Sequence, residues 1–394
     1  MEPYIFAVVK KQELLCYDTL TGCSLKKCLD GEKALGFVSR LIENNPSRII
    51  EIQPNDFVDK ETQKIIDELR ENFMGDTHEG NKPFLTPFTC KIGNDKENMR
   101  LEIGKVGKLV KQLNIVLGHS TNCQSDLLRQ TGIKQFLFPY GDVGDKYIDS
   151  SVVEFFLSTS AFELNQIMII GDVYRYKSLN NIISLVPDIN IGYVFYYLDF
   201  CDSGLPIFNN KTTFSAMVDF PIDINALKNM LGVFQKQEIC LSLQFVATNE
   251  KDVEIANDLD LDQYNNLNCQ IIPFFDGENI DFFKNNVFIE EMDILEQIQA
   301  QETVFMKMNV NSAFFGKLYL MPDNQIYTHP GNVPLCSIAD YKKTLYKAIL
   351  DDDTWFKIRD KEPCIDCVYQ YICPSISGYE LAIGKPNLCN LKPY

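Results

Sequence analysis

The sequence predicts an α/β protein built in three parts, spanning residues 1–100, 101–300 and 301–394. Three observations carry this. Between residues 110 and 290, strand-like apolar runs alternate with helix-like stretches, the pattern of βαβ units and of a largely parallel sheet or barrel. The segment before it reads as a small α+β unit. The segment after it changes to a hairpin signal followed by a tail rich in Cys, Pro, Gly and Ser. A chain of 394 residues suggests two or three domains and can bury several cores without staples.

In the first part, residues 4–9 and 14–18 are β-like around a polar break, which reads as a hairpin. Residues 30–42 carry Ala34, Leu35, Phe37, Val38 and Leu41 at helical spacing, and residues 59–73 carry Ile65, Ile66, Leu69 and Phe73 likewise. Between the two helices, residues 48–53 form a short β-branched run that predicts a strand. Residues 75–82 read as a loop. In the second part, strands are expected at 113–118, 135–138, 166–170, 191–197, 214–220, 241–247 and 270–275, and helices at 151–161, 179–186, 224–234 and 278–286. In the third, residues 316–321 and 325–328 flank Pro322-Asp323-Asn324, a strong hairpin signal. Asp353 is placed to cap a short helix through Ile358, with Asp351-Asp352-Asp353 as its solvated start.

Composition excludes several classes. Acidic residues outnumber basic ones 54 to 37, a net charge of −17, so a Lys/Arg footprint for nucleic acid is not expected. No run approaches the roughly 20 apolar residues that span a bilayer, and Met1-Glu2-Pro3-Tyr4 does not open a signal peptide, so the expectation is a soluble, cytoplasmic protein. No P-loop, dinucleotide fingerprint or H-E-x-x-H is present. Histidine is scarce (His78, His119 and His329), and no Ser-His-Asp set can be assembled. Cys123 lies four residues after His119, the spacing of a thiolate–imidazole pair, although a plain turn is the simpler reading. Phe195-Tyr196-Tyr197 is expected to pack in or around the central part.

There are 13 cysteines. Cys16, Cys23, Cys28, Cys90, Cys123, Cys201, Cys240, Cys269 and Cys336 are scattered and read mainly as small buried hydrophobes in a reducing compartment. Cys364, Cys367, Cys373 and Cys389 are different, with the spacing C-x2-C-x5-C-x15-C. Thiolates two residues apart can bind from one tight turn, and two more from neighbouring loops complete a four-sulfur site. Such a set suits Zn²⁺ or an iron–sulfur cluster, and ligand softness does not separate them. A disulfide pair is a third reading.

A βα region, a Pro-Asp-Asn hairpin and a C-x2-C-x5-C…C tail, in that order, resemble radical SAM enzymes with a SPASM domain. The resemblance implies a partial (βα)6, TIM-like barrel, a C-terminal SPASM-like iron–sulfur domain, and one [4Fe–4S] cluster on Cys364, Cys367, Cys373 and Cys389, the family's outer set. The family's inner set is missing: Asn324 stands where the hairpin has Gly, His329 where a cysteine follows, and Ser377 at another ligand position, and residues 309–315 contain no cysteine. His329 as a substitute ligand lacks three partner cysteines.

The front of the barrel departs further. The family needs C-x3-C-x2-C after the first barrel strand, three thiolates on three irons with the fourth iron open for SAM. Here Cys123 is followed by Leu127 and Gln130 at the matching positions. The Gly-Gly-Glu motif that grips SAM is reduced to Ile170-Gly171-Asp172. Without an open iron no electron reaches the sulfonium, so no SAM-cleaving cluster is expected, a chemical veto that outweighs fold analogy. The chain thus resembles the pseudo-radical-SAM proteins of Bacteroidales peptide-maturation systems with double-glycine leaders, most specifically over residues 364–371 and 378–389. This implies a catalytically inactive partner, in a heterodimer with an active radical SAM maturase, that binds the precursor peptide. The N-terminal unit is similar to small winged-helix-like peptide-recognition elements, with Ile49, Ile50, Glu51 and Ile52 as the candidate edge for a leader strand. Alternatives are an enzyme of another class reusing the degenerate pocket, and a zinc-stabilised adaptor.

Overall fold

The computed structural model describes the chain except residues 43–47, 81–95, 102, 119–121, 124, 140–145, 202–205, 207, 209–210, 386 and 392–394. His119 and Cys90, and the end of the 75–82 loop, lie outside the described residues.

The N-terminal unit opens with three antiparallel strands, β1 (Ile5–Lys10), β2 (Glu13–Asp18) and β3 (Ser24–Cys28), in the order β1-β2-β3. Lys10 pairs with Glu13 across a tight turn in which Lys11 takes φ +56°. One face of the sheet buries Ile5, Ala7, Leu14 and Cys16 against Phe37 and Val38 of the helix Glu32–Ile42 and Ile65 and Leu69 of the helix Lys60–Glu71. Asp59 caps the second helix by accepting from Thr62 N (2.9 Å). The strand expected over residues 48–53 is absent: Ile49, Ile50, Glu51 and Ile52 are irregular, and Ile50 and Ile52 only lean on the core. The place beside β2 is taken by β3, whose polar Ser-Leu-Lys-Lys-Cys sequence hides the strand because Leu25 alone is apolar on its helix-facing side.

The second and third parts share one mixed sheet of nine strands. β4 (Gln112–Gly118), β5 (Gln166–Gly171), β6 (Asn190–Tyr196), β7 (Thr213–Val218), β8 (Leu241–Ala247) and β9 (Leu267–Pro273) run parallel in chain order. β10 (Lys317–Leu320) pairs parallel with β4 on its other side, and β11 (Gln325–Tyr327) and β12 (Cys336–Ser337) continue antiparallel. β4, β5 and β6 are buried almost end to end, as parallel strands covered by crossover helices must be. These helices include Ser150–Thr159, Leu179–Ser184, Ile224–Lys236 and Glu250–Asn257. The last is masked in sequence by its acidic surface. Phe195, Tyr196 and Tyr197 are all buried.

Three expectations fail here. Residues 135–138 form no strand: the helix Asp126–Gln135 ends there, and the Gln135 carboxamide exchanges hydrogen bonds with the Phe275 backbone (2.9 Å each way). An apolar run of four does not fix a period. Asp351–Asp353 closes the helix Tyr341–Asp351, and in place of the expected helix through Ile358 it opens only one short turn, whose Thr354 N–H donates to Asp352 Oδ1 (2.7 Å). Asp353 instead pairs with Lys96 (2.7 Å) ahead of a single turn at Thr354–Phe356. Of the scattered cysteines, Cys16 and Cys123 are buried, but Cys23, Cys28, Cys201, Cys240 and Cys269 are exposed, several on edge strands or just before a strand. The hairpin signal holds, with Asn324 at φ +61°, a left-handed position that explains why Gly suits it and Asn is tolerated.

The three parts are not independent. The second face of the N-terminal sheet packs Phe6, Leu15 and Tyr17 against Ile294, Val304, Cys367, Val368, Tyr369 and Ile372. The Tyr17 hydroxyl donates to Gln297 O (3.2 Å) and accepts from Gln299 N (3.0 Å). Among the described residues no helix is long and apolar enough to cross a membrane.

Candidate metal centre

The tail folds as a series of tight turns. Cys364 opens a single turn, Cys364–Asp366, and the Cys367 N–H donates to Cys364 O (3.0 Å). Gln370 N–H donates to Cys367 O (3.1 Å), and Cys373 N–H to Tyr369 O (2.8 Å). The fifteen-residue gap before Cys389 holds the helix Gly378–Ile383. Ser377 and Glu380 form its capping box, and Gly384 stops it at φ +74°. Cys389 then bridges to Ile289, with Ile289 N donating to Leu388 O (3.0 Å) and Asn390 N to Ile289 O (3.1 Å). The outcome is that all four cysteines line one pocket, walled by Ile289, Ile294, Leu388 and Leu391. The twelve described cysteines are free thiols, so the tail set is not paired as disulfides.

Two charged side chains are buried beside this cavity. Arg359 (6% exposed) and Glu380 (3% exposed) form an ion pair with Nη1–Oε1 at 2.8 Å and Nη2–Oε2 at 3.2 Å. Arg359 Nε donates to Pro374 O (2.7 Å), and Nη1 stands 3.9 Å from Cys364 Sγ. Burial pushes the Cys373 thiol up to about 12, against the pull of Arg359, and Cys364 moves up for the same reason. Metal binding at these thiols therefore releases protons. Leu391 N–H donates to Cys389 Sγ (3.3 Å), and Gln370 Oε1 is buried and lacks a hydrogen-bond partner.

The donor set suits both metal readings. A mononuclear zinc with Zn–S bonds of about 2.3 Å draws its sulfurs to roughly 3.8 Å from one another. Among the described residues no three His, Cys, Asp or Glu side chains converge tightly enough for one ion. Four sulfurs around one pocket with apolar walls are also a donor set that a four-iron cluster would accept, since such a cluster fills the space between its ligands.

The residues at the missing inner set have other uses. Ser377 caps a helix. Asn311, in the cysteine-free segment 309–315, is fully buried, and its Nδ2 donates to Ile376 O (3.0 Å). His329 accepts the Gly331 N–H at Nδ1 (3.1 Å), which leaves Nε2 protonated to donate to Lys134 O (3.0 Å), with Phe314 edge-on at 5.0 Å. It is a structural histidine, not a ligand. Burial lowers its pKa to about 4, against the hydrogen bond to Lys134 O and the charge of Asp352, which raise it, while the Lys357 and Lys134 charges lower it. Between pH 4 and 6.5 the unfolded chain binds a proton that the folded chain refuses. Stability therefore falls as pH drops through that window, by about 3 kcal/mol, and is fully present above it. His329→Gln should flatten this acid limb, read as denaturant midpoints at pH 4.5 and 7.

At the C-terminal ends of β4–β7 the described residues form a polar network. Cys123 (2% exposed) lies 3.7 Å from Ser125 O and 3.9 Å from Asp219 Oδ2, and the Tyr196 hydroxyl donates to Asp219 Oδ1. Burial first, then Asp219, pushes the Cys123 thiol up to about 12, and burial raises the Asp219 carboxyl. Leu127 and Gln130 sit on the exposed side of the helix Asp126–Gln135, away from this buried thiol. Gly171 takes φ +121°, and a Cβ there would meet Gly118 O at 2.4 Å, so β4 and β5 touch at their ends. Asp172 is fully buried and accepts from the Tyr147 hydroxyl (3.1 Å) and Arg175 N (3.1 Å). The Tyr147 ring lies over Gly118, where a Cβ would meet it at 2.8 Å. Sequence reasoning missed Tyr147, Arg359 and Glu380. Only Glu380 left a signal, the Ser377-x-x-Glu380 box.

No family model matches this chain, and no curated protein matches it. Among solved structures it is similar to the crystal structure of Streptococcus suis SuiB, over all of both chains, at 10% identity and a TM-score of 0.41. A likeness that distant carries no argument about fold or function.

Proposed function

We propose that the protein is a catalytically inactive scaffold that binds a ribosomal precursor peptide and partners an active radical SAM maturase, with one [4Fe–4S] cluster on Cys364, Cys367, Cys373 and Cys389. The observation that supports this reading best is the contrast between two ends of the molecule. Four cysteines share a cavity in the tail, whereas the position that must supply three ligands for a SAM-cleaving cluster supplies Cys123, already engaged with Asp219. The cluster, when bound, cross-links a tail built of short turns and supplies a one-electron centre. The chain's own residues do the rest. Ile289, Ile294, Leu388 and Leu391 exclude water, the turns at Cys364–Cys373 fix three sulfurs, and the N-terminal sheet covers the tail.

Asp172 and Tyr147 support the inactive reading from the other side. The carboxylate at the SAM-gripping position is already hydrogen-bonded within the chain. Anaerobically purified protein mixed with SAM and dithionite should release no 5′-deoxyadenosine above a protein-free blank. Release would overturn the proposal. Co-expression with a radical SAM maturase should give a co-eluting pair. Separate elution, with peptide processing unchanged when this chain is omitted, would remove the scaffold role.

A further inference from the structure

We propose that Arg359 is a built-in counter-cation of the four-cysteine centre, held in place by Glu380, and that it raises the centre's reduction potential. This rests on the cluster reading above.

A buried guanidinium is costly unless paired and hydrogen-bonded. Arg359 is both: Glu380 takes Nη1 and Nη2, and Pro374 O takes Nε. Glu380 is fixed in turn by N–H donation from Ser377 (2.7 Å) and Leu388 (3.3 Å). The Arg359 main-chain carbonyl accepts from Gln370 Nε2 (2.6 Å). Arg359 precedes the first ligand by five residues, and Glu380 lies between the third and fourth, so the pair ties together the segments that deliver all four sulfurs. Its polarity is specific. The cation rather than the carboxylate faces the sulfurs, with Nη1 3.9 Å from Cys364 Sγ, and Arg359 itself lines the cavity while Glu380 does not. That distance is long for a hydrogen bond but well within Coulombic reach in a dry site. Lys307 approaches Cys373 across a smaller adjoining cleft, but its ammonium is turned to Gln299 and the Ile372 carbonyl.

Four thiolates around a [4Fe–4S]²⁺ core leave a net charge of about −2, and adding one electron, here from dithionite, makes it about −3. A fixed cation stabilises the reduced form more than the oxidised one, and a fixed anion does the opposite. The two members of the pair should therefore act with opposite sign.

The test is an EPR-monitored dithionite titration of the full chain, purified anaerobically, with iron counted on the same samples. Arg359→Met should lower the ratio of reduced to oxidised cluster at a fixed potential about tenfold, which is about 59 mV for one electron. Glu380→Gln should raise that ratio, and Arg359→Lys should stay near the parent. A merely structural pair would lose iron in Arg359→Met and Glu380→Gln alike, with no opposed shifts in what remains. Should Arg359→Met not hold iron, Glu380→Gln decides: no rise in its ratio of reduced to oxidised cluster overturns the proposal. A parent protein without iron overturns the cluster reading beneath it, a result separate from unmoved potentials in an iron-loaded series.

Discussion

Replacing Cys364 and Cys373 together with Ala should strip the proposed cluster from the tail and loosen the N-terminal sheet with it. The first half of that outcome follows from ligand count: three thiolates can hold a four-iron cluster with one iron open, whereas the two left here, Cys367 and Cys389, cannot. The second follows from packing. Cys367, Val368, Tyr369 and Ile372 form one apolar cluster with Phe6, Leu15 and Tyr17, and Cys373 borders it. Tyr17 further ties β2 to the backbone of Gln297 and Gln299, and Gln299 Nε2 reaches back to Ile372 O. A cluster bound only by the folded tail contributes its binding energy to folding, which for structural metals is on the order of 10 kcal/mol. Its loss should propagate along this path. Iron should fall from about four per chain to near zero, and hydrogen exchange should speed up at Phe6, Leu15 and Tyr17 as well as across 364–391. Full protection of β1 and β2 in an iron-free variant would show that the sheet does not depend on the centre.

How much of this was legible beforehand depended on what kind of signal each residue gives. The parallel strands read well because burial on both faces writes a continuous apolar run, as in Ile167–Ile170 and Tyr193–Tyr196. β3 did not, because an edge strand with Lys26 and Lys27 in its middle has no such run. Residues 48–53 misled for the converse reason: β-branched residues mark apolar demand, and Ile50 and Ile52 meet it as loop residues against the helices. The four tail cysteines were legible from spacing alone. Arg359 was not, since nothing in a sequence marks a lone Arg as buried. Tyr147 was hidden because its role comes from a tertiary approach to Gly118 and Asp172.

Proline at Lys26 will weaken leader-peptide binding at least tenfold relative to alanine at the same position. The proposed peptide-binding role needs an open strand edge, and residues 49–52 do not form one. β3 does. Asp18 N donates to Cys23 O (2.8 Å) and Leu29 N to Gln12 O (2.7 Å), and between these two pairs the antiparallel ladder alternates. Leu25 and Lys27 therefore point their backbone groups at β2, while Ser24, Lys26 and Cys28 point theirs outward, at the sheet's edge. A peptide added there would take the Lys26 N–H as a central donor. Proline removes that donor without touching the inner ladder, which is where edge strands tolerate it. The side chain is a separate matter: Lys26 lies over the Tyr369 ring (4.9 Å) and 3.6 Å from Glu291. Lys26→Ala loses those contacts but keeps the N–H, so only the difference between the two variants reports on the backbone. A tenfold difference corresponds to about 1.4 kcal/mol, the scale of one net hydrogen bond with its neighbours disturbed. Fluorescence anisotropy with a labelled leader segment gives the affinities, and iron content verifies that both variants keep the tail intact. Equal affinity for the two would mean that the peptide, if bound, does not extend this sheet.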